Sequence, residues 1–206
     1  MKLVVQEFLS LDGVSQGPGA PDEDTSGGFT RGGWFVPHLD EDFERLAGEW
    51  LGEADAFLFG RRTYQNFARD WPNMTDHPAA AILNGLPKYV ASHSLTEAGA
   101  TWNPTTVLSG DVPAQVAELK RRPGRELQIH GSAELAQSLL AAGLVDTLRL
   151  VIAPVVVGQG RRLFPDGGAP VGLRLAGHRT TPGGLSVHTF ESTGVPEFGT
   201  YGADAS

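Results

Sequence analysis

Residues 54–68 read ADAFLFGRRTYQNFA. Ala54 to Phe59 is a short apolar run, the length of a buried strand. Gly60 breaks it, and Arg61 to Ala68 reads as a helix. Strand, glycine turn and helix follow one another without a spacer. The same alternation extends in both directions from this stretch, and it decides the fold class.

Upstream, Leu3 to Leu9 (LVVQEFL) is β-rich and predicts a central strand, ended by Ser10-Leu11-Asp12-Gly13. Val14 to Gly33 is rich in Gly, Pro and Asp and has no periodicity. Loops of such length are usually lids or disordered segments. Phe29, Trp34 and Phe35 at its far end suggest docking on an apolar surface. Leu39 to Leu51 has helical spacing, with Leu39, Phe43, Leu46, Ala47, Trp50 and Leu51 on one face. Asp40, Glu41 and Asp42 lie in its first turn, where the helix dipole favours negative charge.

Downstream, Lys88 to Ser92, Thr105 to Leu108, Leu127 to His130 and Asp146 to Ile152 predict strands. Val112 to Arg121 and Ala133 to Ala142 predict helices. Pro113 suits a first helical turn and Gly143 a helix stop. Pro154 to Phe164 is an apolar stretch containing glycines. Leu173 to Ala176 and Leu185 to Glu191 suggest a closing hairpin around Thr181-Pro182-Gly183-Gly184. The pattern predicts an α/β fold: a mainly parallel central sheet with helices on both faces and an antiparallel C-terminal edge. One domain is expected over residues 1–193, with 194–206 as a mobile tail.

Composition limits the chemistry. The 206 residues include no cysteine, which excludes disulfides, thiolate nucleophiles and Cys-ligated zinc. The net charge of -8 argues against nucleic acid as the main partner. No stretch approaches the ~20 apolar residues of a membrane span, and residues 1–11 lack the core of a signal peptide. A soluble cytoplasmic protein is expected. The six histidines form no metal signature. Neither a G-x-S-x-G elbow nor a GxxxxGK[ST] loop is present.

In sheets of this class ligands sit at the carboxyl ends of the strands. Gly60-Arg61-Arg62-Thr63 occupies one such end. Glycine permits close backbone approach, a helix N-terminus suits phosphate, and arginine binds phosphate bidentately. A plain turn with solvated arginines is the other reading. Gly131-Ser132-Ala133-Glu134-Leu135 is a second small-residue turn opening a helix. Ser132 is either a natural N-cap or part of a pyrophosphate cradle. Ser92-His93 follows a third strand and could hold a ribose phosphate, or be a polar turn. Asp12 follows the first strand and suits a proton relay, a ligand anchor or an Asx turn. Trp34 and Trp71, both in loops, are candidate lid or substrate residues.

These turns, in this order, resemble the family that contains dihydrofolate reductases and the reductase domain of bifunctional riboflavin-biosynthesis proteins. The resemblance runs from about Met1 to Thr193. It is carried by Ser10-Leu11-Asp12-Gly13, Gly60-Arg61-Arg62-Thr63-Tyr64, Gly131-Ser132-Ala133-Glu134-Leu135 and Pro154-Val155-Val156-Val157-Gly158-Gln159-Gly160. It implies an NADPH-dependent reductase. Gly60 to Thr63 would bind the adenosine-side phosphates, joined by Ser92 and by His93, which stands where many relatives have arginine. Gly131 to Leu135 would cradle the pyrophosphate. Ser10 to Gly13 would lie beside nicotinamide, with Asp12 facing the substrate and the segment to Trp34 as a lid. Gly158 and Gly160 would help to close the pocket.

The resemblance further implies a small-molecule substrate, such as a ribosylaminopyrimidine, and a homodimer. A dihydrofolate-type activity would need a helix-borne carboxylate, for which Asp40, Asp42 and Glu44 are candidates. A non-catalytic module binding NADPH or a metabolite on the same fold is the alternative from another class. The zinc deaminase site of the bifunctional proteins has no counterpart in a sequence without cysteine.

Overall fold

The structure, a computed structural model, describes residues 1–202. Eight strands form one sheet: β1 (Lys2–Ser10), β2 (Ala54–Gly60), β3 (Lys88–Ala91), β4 (Thr105–Leu108), β5 (Glu126–His130), β6 (Thr147–Ala153), β7 (Gly172–Thr180) and β8 (Ser186–Gly194). Their order is β4-β3-β2-β5-β1-β6-β8-β7. The first six run parallel, and β8 and β7 close the sheet antiparallel. The helices are α1 (Glu41–Gly52), α2 (Arg61–Asp70), α3 (Ala80–Gly85), α4 (Val112–Arg121) and α5 (Ala133–Ala141). The predicted α/β architecture with its antiparallel C-terminal edge is therefore present.

Alternation along the strands sends side chains to two cores. Leu3, Val5 and Leu9 of β1 pack with Val116 and Leu119 of α4 and Leu139 of α5. On the opposite face Phe8 stacks on Phe35 at 4.1 Å and meets Phe43 of α1 edge-on. Phe57 and Phe59 of β2 pack with Leu51 of α1, Tyr64 of α2 and Leu83 of α3 on that same side. Helices α1–α3 thus cover one face and α4–α5 the other, as right-handed crossovers require.

Two elements differ from the sequence reading. Helix α3 is absent from it, since Ala80–Gly85 spans less than two turns between prolines. The closing hairpin is longer than predicted, with Gly194 as the last residue of β8 rather than the start of a tail. Residues 195–202 follow without a strand, and the remainder of the expected tail, 203–206, lies outside the described residues. Among the described residues no helix is long and apolar enough to cross a membrane.

The sheet pairs unevenly around its central strand. β1 is bonded to β6 from Val4 to Ser10, but to β5 only from Lys2 to Gln6. The Gly131 N–H donates to the Gln6 carbonyl at 3.0 Å, and β5 then turns away. Glu7 and Phe8 therefore lie beyond the end of β5, at the border of a cleft.

Candidate active site

The carboxyl ends of β1, β2, β3 and β5 open into a cleft of about 1300 Å³. That exceeds the roughly 300–1,000 Å³ typical of a site for one small molecule. One arm is built by the turns after β2, β3 and β5. Gly60, Arg61, Arg62 and Thr63 line it from β2–α2, Ser92 and His93 from the end of β3, and Gly131, Ser132, Ala133, Glu134 and Leu135 from β5–α5. All eleven residues were singled out in the sequence as nucleotide-binding, and the fold gathers them in one place.

The two glycine turns are bonded to each other. The Gly60 N–H donates to Ser132 Oγ at 2.9 Å, and Ser132 Oγ donates to Thr63 Oγ1 at 2.8 Å. Ser132 holds the N-cap position of α5 but does not cap it with its side chain, which makes no capping bond, and its backbone is left-handed (φ 67°) directly after the left-handed Gly131 (φ 64°). A non-glycine residue in that region costs about 1–2 kcal/mol. The strain aims the hydroxyl across the sheet and leaves the first N–H groups of α5 uncapped by it. Arg61 and Arg62 are exposed, and neither has a carboxylate partner among the described residues. Ser92 is buried, and its hydroxyl accepts from the N–H groups of Ser94 and Leu95 at 3.1 and 2.9 Å, which shapes that turn.

The second arm is aromatic. Phe8, Phe43, Trp50, Phe67 and Trp71 line it. Trp71, a predicted substrate residue, meets His77 edge-on at 5.1 Å. Of the acidic candidates on α1, Glu44 alone reaches the cleft. Asp40 caps the helix through Phe43 N–H at 2.8 Å and also accepts from Gly183 N–H, while Asp42 pairs with Arg45. At the floor, His130 lies against Phe57 and contacts Gln128 Oε1 through Nε2 at 2.9 Å. Burial, then the nearby Arg149, pushes its pKa down to about 4, so it is neutral at pH 7.

The cleft also holds residues that the sequence reading passed over. Gln6 and Glu7 border the opening beside β5, and Gln6 Nε2 and Glu7 Oε1 are buried with no hydrogen-bond partner. Glu7 is 3% exposed. Burial, and then the charge of Glu23, pushes its pKa up to about 8. The available signal was a Gln-Glu pair inside an otherwise apolar central strand, which a core does not require.

Six expected site residues lie elsewhere. Asp12 does not line the cleft. Its carboxylate accepts from Ser10 Oγ (2.7 Å) and from the N–H groups of Val157 (2.9 Å) and Gly158 (2.8 Å). Those bonds, led by the one from Ser10, hold its pKa down at about 2. Asp12 thus ties the loop after β1 to the loop after β6. Ser10 and Gly13 belong to the same knot: Ser10 Oγ accepts from Val14 N–H and Gly13 N–H donates to the Ser10 carbonyl. Gly158 (φ 76°) offers its N–H to Asp12, and Gly160 (φ 121°) packs so closely that a Cβ would meet Val14 at 2.8 Å and Phe29 at 2.9 Å. Trp34 is buried, with Nε1 donating to the Gln16 carbonyl at 2.9 Å.

The loop over residues 14–33 does form one wall. Ser15, Gln16, Glu23 and Asp24 line the cleft, together with Arg161 from the loop after β6. Arg161 donates to Ser26 Oγ at 2.7 Å and pairs with Asp24, so the two loops are held together. Among the described residues no group of three or more His, Asp or Glu is placed to hold a metal ion.

The family model of the RibD C-terminal domain matches residues 1–187. The chain belongs to the RibD C-terminal domain family. A relative in Bacillus subtilis (strain 168), the uncharacterized protein YyaP, is 25% identical over 188 residues, covering 89% of this chain and 91% of that protein. A solved structure from Shewanella sp. PV-4, assigned by name to riboflavin biosynthesis, superposes with a TM-score of 0.66 at 20% identity, over 94% of this chain and 99% of the other. A deaminase/5-amino-6-(5-phosphoribosylamino)uracil reductase from Thermotoga maritima gives 0.61 at 11% identity, over 93% of this chain and 56% of the other. At such identities these structures establish the shared RibD-type fold.

Proposed function

We propose that this RibD-type domain is an NADPH-dependent reductase, transferring a hydride to a small polar or heterocyclic substrate of the ribosylaminopyrimidine kind. The observation that carries this reading is the joining of two glycine turns, through Gly60 N–H and Ser132 Oγ, beside a pair of arginines without acidic partners. A phosphate group next to α2 would meet first-turn N–H groups, the positive end of the helix dipole and two guanidinium groups. Gly131 and Ser132 bring backbone to the same place from the neighbouring strand. Both turns border one cleft, so a dinucleotide can touch both.

NADPH would supply the hydride, and the chain supplies placement and exclusion of water. Arg61, Arg62 and Thr63 would hold phosphate. The aromatic arm offers Trp50 and Trp71 to a planar ring, and His130, neutral at pH 7, offers a hydrogen bond without a charge. The wall of residues 15–24 shields this arm from one side. Glu44 would serve a dihydrofolate-type reaction, but the pairing of a phosphate arm with an aromatic arm in one large cleft supports the broader reductase reading.

Titration of the purified protein with NADPH and NADH tests this. Quenching of the four tryptophans and energy transfer to the reduced nicotinamide report binding. Micromolar binding of NADPH is expected, with a preference over NADH; tenfold corresponds to about 1.4 kcal/mol. Absence of binding by either nucleotide would remove the reductase reading.

A further inference from the structure

Glu7 combines three properties found at no other carboxyl of this cleft. It lies on the central strand where pairing to β5 has just ended, it is withdrawn from water, and one of its oxygens has no partner. By alternation its side chain shares the face of Val5 and Leu9, above α5. Among the described residues no cation pairs with it. Arg161, which lines the same cleft, is taken by Asp24 and Ser26, and Arg149 on β6 is taken by Glu126 at 2.7 Å. Glu134 at the start of α5 is largely exposed, and His130 on β5 is neutral. The charged group acting on Glu7 is Glu23, a second carboxyl, from the wall loop. An unpaired buried carboxylate is costly, so the neutral acid is the stable form. Glu44 also reaches the cleft, but solvent surrounds it.

We propose that Glu7 is the proton donor of the reduction, a neutral carboxyl that hydrogen-bonds the oxygen or nitrogen of the substrate's reducible C=O or C=N group and passes its proton to that atom. This rests on the reductase reading above. One hydrogen nucleus and the electron pair of its C–H bond arrive together at the carbon as hydride from a dihydronicotinamide dinucleotide, which is thereby oxidised. The π pair moves to the oxygen or nitrogen. That pair takes the Glu7 proton as its O–H bond breaks, and Glu7 is left as a carboxylate. Beside Glu23 and away from cations it recovers a proton from water. The oxygen without a partner is thus the atom through which Glu7 would meet the ligand.

Infrared difference spectroscopy of the whole protein across a pH titration tests this without any substrate. The expected result is a protonated-carboxyl band present at pH 7, fading with a midpoint about 8, and missing in Glu7→Gln. A Glu7 carboxylate at pH 7 would overturn the proposal. The second readout is turnover with an acceptor that oxidises NADPH. Glu7→Gln should bind NADPH within about twofold of wild type and lose roughly 100-fold or more in kcat. The fall in wild-type kcat above about pH 8 should be absent from the variant's profile. Wild-type kcat in Glu7→Gln would equally overturn it. A neutral Glu7 in a protein that binds no nucleotide would instead sink the reductase reading and leave the carboxyl's state established.

Discussion

Gly60 and Ser132, seventy-two positions apart in sequence, are joined by one hydrogen bond of 2.9 Å from the amide of the first to the hydroxyl of the second. Ser132 also reaches Thr63, so one side chain ties the two glycine turns together. Ser132→Ala should lower stability by about 1–2 kcal/mol, because an amide loses its acceptor. It should weaken NADPH binding several-fold as the turns drift apart. Ser132→Gly should recover part of the stability by relieving the left-handed backbone, but not the affinity. Denaturant melts and fluorescence titration of the two variants check this; equal affinity in both and in wild type would refute it.

Arg61 and Arg62 are exposed and hold no ion pair among the described residues, so removing their charge breaks no salt bridge there. The double substitution to alanine should leave the unfolding midpoint within about 0.5 kcal/mol of wild type. NADPH binding should weaken by tenfold or more, and its salt dependence should flatten. Titrations at two ionic strengths decide the matter. Unchanged affinity would place the phosphates elsewhere.

Glu7 should make stability fall as pH rises. Its pKa is about 8 in the folded protein and near 4.5 unfolded. Between those values the folded state holds a proton that the unfolded state has lost, so folded stability drains from about pH 4.5 up to about 8. At about 1.4 kcal/mol per pH unit the full effect is several kcal/mol. Glu7→Gln should therefore gain on wild type across that window and hold its advantage above it. Thermal melts at pH 5, 7 and 9 measure the difference; parallel curves for the two proteins would show that Glu7 does not titrate there.

Asp12 should behave in the opposite sense. Its pKa is lowered to about 2 from 3.8, so its stabilising contribution is complete above about pH 4 and is lost as pH falls toward 2. Asp12→Asn cannot accept both the Val157 and Gly158 amides and should cost about 1–3 kcal/mol at pH 7. Its effect on NADPH binding should be small, because the carboxylate does not border the cleft. A large loss of affinity with unchanged stability would return Asp12 to the site.

The sequence reveals features that are local, and the strands and helices show this. Thr105–Leu108 and Val112–Arg121 agree with the structure residue for residue, because an apolar run and a Pro-opened periodic segment each report their own geometry. The long hairpin does not, since β7 is exposed along most of its length and carries no alternation to read. The turns that line the cleft are legible through glycine at strand ends. Side-chain direction is not. Asp12 stands at the expected turn but points at the loop after β6, and Ser132 occupies a cap position in a left-handed backbone. Glu7 escapes notice because its neighbours make the strand look like core, and what marks it out is a partner that is missing.

The overhang of β1 past the end of β5 has a mechanical consequence. As far as Gln6 the strand is flanked by both β5 and β6; over residues 7–10 only β6 holds it. The turn from β5 into α5 can therefore shift without breaking a rung beyond the last stitch, the bond from Gly131 N–H to the Gln6 carbonyl. A ligand seated beside the overhang would act as a second neighbour for it, and slowed amide exchange should appear there and in the turn after β5 together.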